Sequence, residues 1–121
     1  MTKAAAIYQF WSGFGLTAYE ENTVPEDAAF PYVTYQLVTD SFDREVAATA
    51  SLWYRGESWT AINAKTEEIG KYIDEILPIK CDGGRIWIKR GQPSAQNMGD
   101  ESDDLIKRKY LNLTFEFLTA N

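Results

Sequence analysis

IKRKYLNLTFEFL, residues 106–118, alternates almost without a break: Leu111, Leu113, Phe115 and Phe117 fall on one side, Tyr110, Asn112, Thr114 and Glu116 on the other. Side chains of a strand point to opposite faces in turn, so this pattern predicts a long strand with one buried and one wet face. Just upstream, residues 91–104 are polar and lack any period, which predicts a long loop of the kind that usually carries function. Before it, RIWIKR at 85–90 sets Ile86 and Ile88 against Trp87 and Lys89, a short strand entered from the tight-turn residues Asp82-Gly83-Gly84. Between Ser58, a plausible N-cap, and Pro78, a stop, Trp59, Ile62, Thr66, Ile69, Ile73, Ile76 and Leu77 recur at spacings of three and four. Such an apolar stripe predicts an amphipathic helix.

The N-terminal half carries the same two periods. EVAATASLWYR, residues 45–55, places Val46, Ala48, Ala50, Leu52 and Tyr54 on one face and Thr49, Ser51 and Trp53 on the other. YVTYQLVTD, residues 32–40, is a second strand, and the polar turn Ser41–Arg44 joins the two as a hairpin. Residues 4–20 suggest a helix with Ile7, Phe10, Trp11, Phe14 and Ala18 at helical spacing, although Gly13 and Gly15 each cost about 1 kcal/mol there relative to Ala. Pro25 and Pro31 enclose an irregular acidic connector. The expected order is α-β-β-α-β-β: an α+β fold of a single domain, 1–121, with an antiparallel four-stranded sheet and helices packed on one face.

Composition narrows the function. The chain has 121 residues, enough to bury a core without staples. It carries four Trp, seven Tyr and six Phe, and large rings are the usual anchors of cores and interfaces. A net charge of −6 opposes nucleic-acid binding, which needs cationic side chains to displace counterions from phosphates. No apolar run is long enough to span a membrane, and no signal peptide is recognisable. The single cysteine, Cys81, cannot form an internal disulfide and fits a reducing compartment. Histidine is absent, which excludes a Ser-His-Asp triad, a Cys-His pair and the usual zinc sites. No enzyme activity, metal or cofactor is expected. The paired acids Glu20-Glu21, Glu26-Asp27, Asp74-Glu75 and Asp103-Asp104 read as solvated, because adjacent acids on a helix do not share a face and those in loops usually face water. Gly13-Phe14-Gly15 matches no phosphate-binding fingerprint.

Two features point to a protein interface. If the apolar strand faces meet the helices, Trp53 and Trp87 stand on the opposite side of the sheet. Either each ring lies over neighbouring stems or pairs across strands, or that face meets another subunit. The second feature is the 91–104 segment with its flanks. Gln92, Gln96, Asn97 and Met98 lead into the acidic Asp100, Glu101, Asp103 and Asp104, and these give way at once to Lys107, Arg108 and Lys109. The change of sign is either a solvated loop running into a strand or a head-to-tail docking surface, acidic end to basic end.

A longer set of residues carries a resemblance. Phe10-Trp11, Phe14-Gly15-Leu16, Ala18-Tyr19-Glu20 and Val24-Pro25 precede Phe30-Pro31-Tyr32-Val33-Thr34-Tyr35. Ala50-Ser51-Leu52-Trp53-Tyr54, Ser58-Trp59, Trp87-Ile88-Lys89-Arg90-Gly91-Gln92-Pro93, Ala95-Gln96-Asn97-Met98 and Lys109-Tyr110-Leu111-Asn112-Leu113 follow. Together they resemble the tail terminator, or tail-completion (head–tail joining), proteins of long-tailed bacteriophages and prophages of Gram-positive bacteria. The chain departs from that pattern near Asn97, where similar sequences are more basic. The resemblance implies a virion structural protein that assembles with itself into a ring, typically a hexamer, on the finished tail tube. Its partners would be the tail tube protein and the head connector or completion protein. It would reside in the host cytoplasm during assembly and then at the head-proximal end of the tail. Competing expectations are a head-completion protein on the capsid side, a small α+β binding module or enzyme, and a nucleic-acid accessory protein.

Overall fold

A computed structural model describes residues 1–99 and 102–121. Two helices and six strands follow one another as α1 (Lys3–Ser12), β1 (Thr17–Glu20), β2 (Tyr32–Tyr35), β3 (Arg44–Arg55), α2 (Thr60–Glu75), β4 (Ile79–Cys81), β5 (Gly84–Gly99) and β6 (Ile106–Thr119). The strands form one mixed sheet in the order β1-β2-β3-β6-β5-β4, curved into a half-barrel. The expected four-stranded antiparallel sheet of order α-β-β-α-β-β is therefore incorrect. Two short strands were missing from it, and β1 runs parallel to β2.

The first error lies in residues 4–20. Thr2 caps α1 by accepting the Ala5 N–H at 3.0 Å, and Gly13 ends it by donating its N–H to the Phe10 carbonyl. Gly15 then takes φ +76°, a left-handed conformation that glycine adopts without the Cβ clash of other residues. Across this corner Phe14, Leu16 and Ala18 are buried at every second position, the period of a strand. Those residues also fit a spacing of four, and that coincidence extends the apparent helix.

The second error lies in residues 91–104. β5 does not stop at Arg90 but continues to Gly99, paired with β6 from Gly84↔Thr119 to Gly99↔Lys107. A bulge interrupts it: Arg90 faces Leu113 and Ala95 faces Leu111, so residues 91–94 stand opposite Asn112 alone. The Asn112 amide donates to the Pro93 carbonyl at 2.9 Å and clamps the bulge. A Cβ on Gly91 would lie 3.0 Å from the Asn112 carbonyl carbon, so the two backbones approach closely there and a side chain would press on β6.

The core sits between the helices and one face of the sheet, here called the inner face. Ile7, Phe10 and Trp11 of α1 and Ile62, Ile69 and Ile73 of α2 join Ala48, Ala50, Leu52, Ile86, Ile88, Leu111, Leu113, Phe115 and Phe117. Trp11 stacks on Tyr35 with ring centroids 6.4 Å apart. Full burial of each large apolar side chain contributes about 1.5–3 kcal/mol, and β3 paired along all 12 residues with β6 aligns them. Ser58 does not cap α2 as an N-cap: its hydroxyl accepts the Thr60 N–H at 3.0 Å, and the cap position is Trp59.

Candidate functional site

The opposite, outer face of the sheet carries a cluster of rings gathered around one cation. Strand register places Tyr32 beside Trp53 and Trp53 beside Arg108, with Thr34, Ser51 and Tyr110 in the next row of the same face. Tyr32 stacks on Trp53 with centroids 6.0 Å apart at 15°. Tyr19 meets Tyr32 edge-on at 5.8 Å, and Phe30 leans against it at 5.2 Å. The Arg108 guanidinium carbon lies 4.8 Å from the Trp53 centroid and 5.3 Å from that of Tyr110, a cation held between two rings. Polar contacts fix this stack, since the Trp53 indole N–H donates to the Thr34 hydroxyl at 2.9 Å and Arg108 Nε donates to the Ser51 hydroxyl at 3.0 Å. A cleft of about 380 Å³ opens over it, with Glu21, Val24 and Thr49 on its walls. Burial, and then the neighbouring Tyr19, push the Tyr32 phenol above its ordinary pKa.

Trp87 also stands on the outer face and is 43% exposed, with Lys89 lying 4.6 Å over its ring. Lys89 is held by Glu45 at 3.0 Å and Glu116 at 3.2 Å, and hydrogen bonds to these two carboxylates raise its pKa. Glu45 and Glu116 are directly opposed across β3 and β6, so the ammonium separates two like charges. The two tryptophans do not form one patch. Their partners on β6 are Arg108 and Glu116, eight residues apart, which is roughly 27 Å of strand.

The remaining predicted interface residues are scattered by the strand geometry. Gln92 is exposed in the bulge, Gln96 pairs across from Tyr110, and Met98 pairs across from Arg108. Asn97 pairs with Lys109 and accepts a hydrogen bond from its ammonium. Asp103 shapes the turn into β6, accepting the Leu105 N–H at 2.9 Å and meeting Arg55 at 3.4 Å. The Asp104 carbonyl accepts from the Lys107 ammonium. Asp100 and Glu101 lie outside the described residues. The basic trio does not make a single patch: alternation sends Arg108 outward, while buried Lys107 and half-buried Lys109 turn toward Trp59, at 5.8 and 6.0 Å from its ring. Tyr32, Thr34, Ser51 and Tyr110 escaped the sequence reading. Parity placed them opposite the core residues, but only register brings them around Trp53.

Two apolar grooves lie on the helical side. One, of about 430 Å³, runs between α2 and β5 over Ile69, Ile73 and Leu111, and the Arg90–Asp74 pair crosses it at 2.5 Å. The other, of about 480 Å³, lies between the helices beside Phe10, Phe14, Tyr72 and Ile79. Among the described residues no group of three or more Cys, Asp or Glu could hold a metal ion, and no helix is long and apolar enough to cross a membrane. No protein-family model matches the chain, and no curated protein matches it.

Proposed function

We propose that this chain is a structural protein of a phage or prophage virion, a tail terminator or completion protein that closes the tail tube as a ring of its own copies and presents a surface to the head connector. The residues that carry the family resemblance supply the class. The observation that carries an adhesive role is the outer-face stack of Tyr32, Trp53, Arg108 and Tyr110. Aromatic rings and arginine are the side chains that dominate interface energetics, and here they are pre-ordered by hydrogen bonds, so docking costs little side-chain entropy. In this reading the ring matches the tube on one face and lacks its polymerising surface on the other, so growth stops where the ring sits. Deletion of the gene is expected to yield overlong tails in electron micrographs. Tails of normal length on heads that leak would place the protein on the capsid side of the joint, and intact particles would refute a virion role.

A further inference from the structure

The two ends of the sheet have matching free edges. Reading across the strands, Thr17 leads through Tyr32, Trp53 and Arg108 to Met98. Three rows on, Glu20 leads through Tyr35, Ala50 and Leu111 to Ala95. β4 covers only Gly84–Ile86 of β5, so at this level β5 is itself an edge, and β1 is the edge on the other side. Among the described residues no backbone group of Thr17–Tyr19 or Ala95–Met98 bonds beyond its one neighbouring strand. Free edges of this kind are normally blunted by charge. Ala95, Gln96, Asn97 and Met98 carry none.

Direction singles out how these edges meet. β5, β6, β3 and β2 alternate in direction, and β1 then repeats that of β2 because their pairing is parallel. The two free edges therefore run opposite ways. Neighbours in a head-to-tail ring are related by rotation about the ring axis, so strands lying along that axis keep their direction from copy to copy. The seam between β5 of one copy and β1 of the next is then antiparallel. Had β1 joined β2 antiparallel, the seam would be parallel and less stable per residue. Side-chain parity agrees as well: Met98 and Thr17 both belong to the outer face and Asn97 and Ala18 to the inner one, so the rows join without a slip.

We infer that Gln96–Met98 of β5 pairs antiparallel with Thr17–Tyr19 of a second copy, which makes the sheet continuous from subunit to subunit. This rests on the head-to-tail ring proposed above. Directly opposed antiparallel positions have Cβ atoms about 4.5–5.5 Å apart, near enough for a disulfide after small adjustment. The test is the double variant Thr17→Cys with Met98→Cys in a Cys81→Ser background, oxidised alone at rising concentration and on isolated tail tubes. Both positions are exposed, and circular dichroism verifies that each variant is folded. The expected result is a reducible ladder of covalent multimers from the double variant and none from either single variant. Rings seen by native mass spectrometry or microscopy that never cross-link overturn the seam and leave the ring standing. Covalent dimers from Asn97→Cys alone, with no ladder from the double variant, overturn it in favour of β5 pairing with itself. A protein that stays monomeric in both preparations overturns the ring and the seam together.

Discussion

Replacing Trp53 by alanine tests whether the outer-face stack is a packed unit. The indole contributes a stacked ring pair with Tyr32, worth about 0.5–1.5 kcal/mol, and a face for the Arg108 cation, worth about 0.5–1 kcal/mol. Its N–H bond to Thr34 adds about 0.5–1.5 kcal/mol, and its loss leaves the buried Thr34 hydroxyl without that partner. Together Trp53→Ala is expected to cost about 1.5–4 kcal/mol, with the lost packing of the half-buried ring on top. Unfolding entropy near 2.1 cal/mol/K per residue gives roughly 0.25 kcal/mol/K for 121 residues, so the midpoint falls by about 6–16 °C. Thermal unfolding followed by far-ultraviolet circular dichroism reads this directly. Trp53→Phe keeps a ring for Tyr32 and Arg108 but no donor for Thr34, and its midpoint should fall between the two. A Trp53→Ala midpoint within about 2 °C of the parent would refute the reasoning, because a ring that is merely draped on the surface loses nothing when truncated.

Gly84 takes φ +154°, and a Cβ there would lie 2.1 Å from the Leu118 carbonyl oxygen, so Gly84→Ala is expected to lose more than about 2 kcal/mol or to fail to fold; a urea midpoint unchanged from the parent contradicts this. Alkaline pH is expected to weaken the fold. Tyr32, Tyr35, Tyr54 and Cys81 are raised above their ordinary values chiefly by burial, and Lys89 by its hydrogen bonds to Glu45 and Glu116. In each case the folded state holds its proton to higher pH than the unfolded chain. The stabilisation is therefore complete below the unfolded values, from about 8.5 for Cys to about 10.4 for Lys, and is lost as pH rises through the higher folded ones. Urea midpoints should fall steadily from pH 8.5 to 11, less so in Lys89→Met, and a flat profile would sink the assignment.

How much of this was legible in the residues depends on whether one period dominated. Residues 58–77 and 106–118 each satisfy only one period, helical in the first and alternating in the second, and α2 and β6 appear there. Residues 14–18 satisfy both, since Phe14 and Ala18 are four apart and Phe14, Leu16 and Ala18 are two apart. The left-handed turn at Gly15 is what selects the strand. Residues 91–99 satisfy neither period, because the bulge shifts register partway along β5 and its outer half is edge strand with little to bury. Local pattern cannot identify a strand that is held by its neighbour's backbone instead of by its own apolar face.

From the amino acids alone came the apolar faces, the α2 stripe, the lack of histidine and the placement of Trp53 and Trp87 away from the core, because each follows from residue type and a period of two or 3.6. Register between distant strands lies beyond such periods. The tertiary pairing of β2, β3 and β6 gathered Tyr32, Trp53 and Arg108 into one stack and separated Trp87 from it. It also divided Lys107 and Lys109 from Arg108, and set β1 level with the outer half of β5. Neighbours 57 positions apart, such as Arg108 and Ser51, meet only when the whole sheet closes on its core.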